Sequence, residues 1–134
     1  MKHFMSNQRP EREWRFYIDD MLSFAEKILA YTEGLDQDTF VSSDLTYDAT
    51  LRNLALIGEA ATRIPEDVRT DHAEVPWRLI IATRNRLIHA YLGVDNDTVW
   101  SIIQENIPEL LVMLEHIQAQ HRDPPSCWNS DTSI

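Results

Sequence analysis

The sequence predicts an all-α protein, an up-and-down bundle of four principal helices with short extra helices and a kinked C-terminal helix. Apolar residues recur at helical spacing in four long segments, and the 134-residue chain contains only three glycines. Proline or glycine marks the ends of several segments. A chain of this length forms one domain, so we expect residues 1–122 to form the helical domain and residues 123–134 to be a disordered tail.

The first principal helix is predicted over residues 11–33 and is ended by Gly34. Its apolar positions fall on one face, with charged residues elsewhere: Trp14, Ile18, Met21, Leu22, Ala25, Ile28 and Leu29. Residues 36–43 are predicted to be a short connector with at most one helical turn. This connector holds Phe40 and Val41 against the core.

The second principal helix begins at Ser43 or Asp44, either of which is a suitable N-cap, and continues to about Ile64, where Pro65 stops it. Gly58 inside this helix is costly for helix formation, which suggests that a neighbouring helix approaches closely there. The residues predicted to face inward are Leu45, Leu51, Leu54, Ala55, Gly58, Ala61 and Ile64.

Residues 66–75 lack apolar periodicity and carry several charges, which predicts a loop. The third principal helix then extends from Pro76 to about Leu92, because proline suits the first turn of a helix and Gly93 suits the position just past its end. Its predicted apolar positions are Trp77, Ile80, Ile81, Leu87, Ile88 and Leu92.

The last helix is predicted to begin after Asp95 or Asn96. Pro108 lies within its apolar pattern and should kink the helix near Gln104, whose carbonyl loses its hydrogen-bond donor. The apolar stripe consists of Val99, Ile102, Ile103, Ile107, Leu110, Leu111, Leu114 and Ile117.

Composition and charge restrict the possible functions. A lone cysteine, Cys127, cannot form an internal disulfide, and neither a signal peptide nor an apolar run of membrane-spanning length is visible, so we expect a cytoplasmic protein without membrane contact. The net charge of −10 argues against indiscriminate nucleic-acid binding. Residues 77–94, however, contain three arginines and no acid, whereas residues 32–50 contain five acids and no base. The sequence therefore predicts a small basic region on an acidic protein.

The basic region also contains the densest group of chemically active side chains, Arg84, Asn85, His89 and Tyr91. At about 100° per residue, Asn85 and His89 share one face of the third helix, while Arg84 lies about 140° around the axis from His89. The partial negative charge at the helix C-terminus favours a protonated imidazole at His89, which suits a general acid or base.

The string R-N-R-L-I-H-A-Y at residues 84–91 resembles the R-x4-H-x-Y motif of HEPN-domain proteins, and most closely the HepT-like toxins of MNT/HEPN toxin–antitoxin pairs. Residues 53–61, 76–78 and 99–111 also resemble that family. The resemblance implies an all-helical homodimer with its active site at the dimer cleft, acting as a metal-independent endoribonuclease without a cofactor. It further implies that a nucleotidyltransferase antitoxin neutralises the toxin and can transfer AMP to Tyr91.

In this interpretation Arg84 binds the RNA phosphate, His89 transfers protons and Asn85 orients the imidazole or binds phosphate. One histidine cannot comfortably make both proton transfers, so two copies of the motif across a dimer cleft would serve the reaction better. The residues that could support this site are Arg78, Arg86, Asn53 and Glu59. For Asn53 and Glu59, a solvated position is an equally good interpretation.

Other interpretations remain open. His89 could simply interact with its own helix end while the arginines are solvated, and Tyr91 could be a packing residue. A non-catalytic helical module that binds a partner nucleotidyltransferase is the alternative function, and the acidic net charge favours it. The histidines outside the motif lack the spacing of metal ligands, so no metal site is expected. Cys127 and Trp128 receive no role.

Overall fold

The computed structural model describes residues 10–89 and 94–121. The regular secondary structure in these ranges consists of helices joined by short turns and loops, with no strand. The elements in chain order are α1 (Pro10–Thr32), α2 (Gln37–Ser42), α3 (Asp44–Ala61), α4 (Glu66–Asp71), α5 (Trp77–His89), α6 (Asn96–Ser101), a π-helical turn (Ile102–Asn106) and α7 (Ile107–His121). The predicted all-α class is confirmed.

Helix α1 packs against both α3 and α7, and α5 packs against α3. The predicted apolar face of α1 is buried, with Ile18, Met21 and Ile28 almost inaccessible to solvent. Phe40 from α2 is also fully buried, as predicted, and its ring lies against those of Tyr47 and Trp100. The core is therefore continuous, and α5 forms one edge of the bundle.

Short polar interactions fix the ends of the first helices. Gly34 has a φ of +78°, the left-handed conformation that ends α1 and that other residues adopt only with strain. The carboxylate of Asp36 accepts a hydrogen bond from the backbone N–H of Thr39, which caps α2 and lowers the pKa of Asp36. The hydroxyl of Ser43 caps α3 by accepting from the N–H of Thr46. The prediction that Ser43 begins this helix is confirmed.

Two predictions in this part of the chain are wrong. Residues 66–75 are not a loop throughout, because they contain α4, whose first turn carries the acidic residues that the positive end of a helix favours. Six residues are too few to show periodicity in the sequence. Leu45 does not face inward but is 82% exposed, because Tyr47, about 200° around the same helix, is the residue that contacts Phe40.

Near Gln104, where a kink of the last helix was predicted, the structure has a π-helical turn. The N–H of Ile107 donates to the carbonyl of Ile102, five residues earlier, just before Pro108. Since proline has no N–H to donate to Gln104, the regular α-helical pattern cannot continue through this point. On either side the apolar stripe is buried as predicted, at Val99, Ile103, Ile107, Leu110, Leu114 and Ile117.

In residues 10–89 and 94–121, none of the helices combines the length and the apolar character that a membrane span requires. The N-terminal and C-terminal segments, including the predicted tail at 123–134 with Cys127 and Trp128, lie outside the described residues.

Candidate functional site

The candidate site lies on α5, whose first residue anchors the helix. The side chain of Trp77 is buried and its indole N–H donates to the carbonyl of His72 at 3.0 Å. The helix extends to His89, so Arg84, Asn85 and His89 all lie on it as predicted. Tyr91 and the predicted helix end at Gly93 fall outside the described residues.

Arg84 is held by two hydrogen bonds from its terminal nitrogens. Its Nη2 donates to Glu59 Oε1 of α3 at 2.5 Å, and its Nη1 donates to Asn85 Oδ1 at 2.8 Å. Its Nε is buried and has no hydrogen-bond partner among the described residues. The side chain is 26% exposed, so the guanidinium remains partly accessible from solvent. Arg84 is therefore an oriented cation at the boundary between α3 and α5.

Gly58 explains how the two helices approach so closely. A Cβ atom at position 58 would lie 2.1 Å from the Cβ and 2.8 Å from the Cγ of Arg84, and 3.1 Å from the carbonyl oxygen of Ile80. Only glycine can occupy this position without moving α5. The close approach predicted for Gly58 is confirmed, and the neighbouring group is the stem of Arg84 itself.

Glu59 contacts two arginines, one with each carboxylate oxygen. Arg84 binds Oε1, and Arg63 donates from its Nη2 to Oε2 at 3.4 Å. Arg63 follows Glu59 by four residues, a spacing at which side chains meet along a helix. The hydrogen bond and the positive charge of Arg84, with a smaller contribution from Arg63, lower the pKa of Glu59. Sequence reasoning missed Arg63, although its i+4 spacing from Glu59 was a visible signal.

Acid should weaken the attachment of α5 to α3 through this carboxylate. Because the folded-state pKa of Glu59 lies below its ordinary value of 4.5, its contribution to stability is present above that value and is lost as the pH falls through the folded-state pKa. We expect the urea midpoint to fall more steeply below about pH 5 in the native chain than in the Glu59→Gln variant. Equal slopes in the two proteins would contradict this coupling.

His89 and Asn85 are both exposed and lie one turn apart on the same face of α5, as predicted. Because the side chain of Asn85 accepts from Arg84, Asn85 links the guanidinium to the face that carries the imidazole. The arrangement places a fixed cation, an amide and an accessible imidazole along about 8 Å of helix axis. These groups can bind a phosphate and exchange protons with its substituents.

Of the four residues predicted to support the site, only Glu59 is seen to contact Arg84. Glu59 reaches α5, which excludes the alternative that it is merely solvated. Asn53 is buried but donates within its own helix, to the carbonyl of Ala49, so it is neither solvated nor shown to contact α5. Arg78 is exposed in the first turn of α5, about 9 Å along the axis from Arg84. Arg86 points about 200° away from Arg84.

A cleft lies on the opposite side of α5 from Arg84. It measures about 520 Å³ and separates α5 from α6 and α7. Its lining is mostly apolar and includes Leu54, Ile57, Leu79, Thr83, Arg86 and Ile102. Neither Arg84, Asn85 nor His89 lines it, so the candidate catalytic groups lie on an open helix surface rather than in this cleft.

Two large apolar side chains of α5 are exposed. Ile88, which the apolar pattern predicted to be inward, is 50% exposed, and Leu79 is 57% exposed. The prediction for Ile88 is wrong because α5 packs mainly on α3 and has the bundle on one side only. An apolar residue thus lies on the surface immediately beside His89.

Comparison with known proteins places this chain in a family. The family model described as "Ribonuclease HepT-like" matches residues 21–117, which include all of α3 and α5 and most of α7. No solved structure matches the chain.

Curated relatives agree with the family model. The chain is 35% identical over 108 residues to the "Probable ribonuclease HepT" of Thermococcus cleftensis, covering 81% of this chain and 98% of the relative. It is 34% identical to the "Putative RNase MJ0125" of Methanocaldococcus jannaschii, covering 81% and 93% of the two chains. It is also 34% identical to the "Putative RNase TTE0752" of Caldanaerobacter subterraneus subsp. tengcongensis, covering 77% and 92%. The family model and these full-length matches show that the chain belongs to the HepT-like ribonuclease family.

Proposed function

We propose that this chain is a metal-independent endoribonuclease and the toxin of a toxin–antitoxin pair, with Arg84 and His89 as its catalytic residues. The observation that carries the proposal is the guanidinium of Arg84, fixed by Glu59 and Asn85, on the same helix that carries the exposed His89. Membership in the HepT-like ribonuclease family supports RNA as the substrate.

The proposed reaction is transfer of the RNA phosphate from the 5′-oxygen of the following nucleotide to the neighbouring 2′-oxygen. The 2′-hydroxyl loses a proton and its oxygen attacks phosphorus, while the bond to the 5′-oxygen breaks and that oxygen gains a proton. His89 serves proton transfer, and Arg84 stabilises the negative charge that develops on the phosphate oxygens. Asn85 keeps Nη1 of Arg84 in place. A 2′,3′-cyclic phosphate and a 5′-hydroxyl are the expected products.

The reaction needs two proton transfers, and each chain provides one histidine in the motif. We propose that two chains associate through the α5 surface, so that one imidazole acts as the base and the other as the acid. The exposed Ile88, next to His89 on α5, supports this surface as the contact.

Replacing Ile88 by aspartate should shift the protein from dimer to monomer, because the contact would then bury an unpaired charge. Sedimentation velocity at several concentrations measures the shift. The matched control is Leu45→Asp, since Leu45 is 82% exposed on α3, away from α5. Dimers that survive the Ile88 change, or are lost equally in the control, would contradict the proposed contact surface.

A nucleotidyltransferase is the proposed antitoxin, and Tyr91 is the proposed acceptor of AMP. The support is positional: Tyr91 follows His89 by two residues, so an attached phosphate would compete with RNA for Arg84. Coexpression with the nucleotidyltransferase should add one AMP to the intact mass of the chain. The same addition to a Tyr91→Phe variant would exclude Tyr91 as the acceptor.

The purified chain tests the enzymatic proposal directly. We expect it to cleave single-stranded RNA in EDTA-containing buffer and the Arg84→Lys variant to be at least about 10-fold slower, because lysine cannot replace a bidentate guanidinium. Expression of the native chain alone should arrest growth. Intact RNA and unaffected growth would instead favour the second candidate, a non-catalytic module that binds the nucleotidyltransferase. The net charge of −10 and the neutralisation of Arg84 by Glu59 support that candidate.

A further inference from the structure

The side chain of Arg84 is fixed at both ends by two consecutive residues of α3. Gly58 lies against its Cβ and Cγ, and Glu59 binds its Nη2. The contact with Gly58 fixes the position of Cβ and Cγ of Arg84, and the ion pair with Glu59 fixes the position of its guanidinium. Because Arg84 starts about 140° around the helix from His89, its orientation depends on these contacts with α3 together with the hydrogen bond to Asn85.

The hydrogen-bond inventory of the guanidinium shows what remains for a substrate. Of its five N–H donors, one is taken by Glu59, one by Asn85, and the Nε–H is buried. One N–H therefore remains on each terminal nitrogen. Two donors on adjacent nitrogens match two oxygens of one phosphate.

The negative charge of Glu59, which orients the guanidinium of Arg84, also weakens the attraction of this site for phosphate. The carboxylate of Glu59 lies between Arg63 and Arg84, so the three side chains together carry a single net positive charge. A phosphate that approaches Arg84 is repelled by the carboxylate that orients it. Removal of the negative charge would strengthen the attraction for RNA and at the same time release the guanidinium.

We propose that Glu59 is a positioning residue that fixes the guanidinium of Arg84 for the transition state and weakens ground-state binding of RNA. This inference rests on the proposed ribonuclease function. It predicts opposite effects on two kinetic constants when Glu59 loses its charge. A residue needed only for folding would not separate the two constants in this way.

The test compares Glu59→Gln with the native chain and with Glu26→Gln. Glu26 is exposed on α1, so its replacement changes the net charge equally without contacting Arg84. For Glu59→Gln we expect kcat to fall about 10-fold, because the guanidinium is misplaced. We expect KM at low salt to fall about 3-fold, because one repulsive charge near the phosphate is gone. Glu26→Gln should change neither constant by more than about twofold.

The same kinetics contain the results that would overturn the proposal. An unchanged kcat in Glu59→Gln, a raised KM, or identical shifts in the Glu26→Gln control would each exclude positioning by Glu59. Thermal unfolding of all three proteins shows whether a loss of kcat reflects loss of fold.

Two measurements that need no activity separate this proposal from the proposed function. In a His89→Ala background, Glu59→Gln should bind a single-stranded oligonucleotide about 3-fold more tightly. Nitrogen-15 spectra should show slow rotation of the Arg84 guanidinium in the native chain and fast rotation in Glu59→Gln. If the native chain cleaves no RNA, the ribonuclease proposal fails, and unchanged affinity and rotation would exclude the role of Glu59.

Discussion

Replacing Gly58 by alanine should destabilise the protein by about 2 kcal/mol. The added Cβ would lie 2.1 Å from the Cβ of Arg84, so α5 must move away from α3 to admit it. In an ordinary helix interior the same change stabilises by up to about 1 kcal/mol, which makes the expected sign diagnostic. Urea unfolding of the native chain and the variant measures the difference. A variant as stable as the native chain would show that α5 does not approach α3 at this point.

A double-mutant cycle tests whether the loss of stability in Gly58→Ala arises from the contact with Arg84. Arg84→Gly removes the side chain that the new methyl group meets, so Gly58→Ala should cost less in that background than in the native chain. The relief should be partial, because the carbonyl oxygen of Ile80 would still lie 3.1 Å from the new atom. Equal costs in the two backgrounds would mean that the destabilisation arises elsewhere.

The sequence predicted that a neighbouring helix approaches Gly58, but not that the neighbouring group is Arg84. A glycine within a helical pattern indicates close approach of a neighbour, but it does not say which residue approaches. The same limit applies to Glu59, whose partner Arg84 lies 25 positions away in the chain. The contact follows from the packing of α5 on α3, which periodicity alone does not specify.

Local signals, by contrast, were sufficient for the principal helices, although they missed the six-residue α4. The face of α1, the cap at Ser43 and the change of helical pattern before Pro108 each depend on residues within a few positions of one another. Predictions failed where tertiary packing decides which side of a helix is covered. Leu45 and Ile88 both continue an apolar pattern, yet the bundle leaves them exposed.

Replacing His89 by alanine should reduce RNA cleavage by at least about 100-fold, because proton transfer by a positioned imidazole contributes on this scale. Since His89 is exposed at the end of α5, the stability of the fold should change little. The matched control is His116→Ala, an exposed histidine on α7 whose loss should leave cleavage unchanged. Activity of His89→Ala within about 10-fold of the native chain would exclude His89 as the proton-transfer group.

Mixing inactive and native chains then tests whether two imidazoles act together. If one histidine is the base and its counterpart the acid, a mixed dimer with a single His89 is inactive, so excess His89→Ala protein should suppress native activity almost completely. Two independent sites would instead leave each mixed dimer half as active as the native one. The doubly substituted Ile88→Asp, His89→Ala chain is the control, because a chain unable to associate through α5 should not suppress activity. Retention of the full activity of the native chains would overturn the two-imidazole mechanism while leaving His89 catalytic.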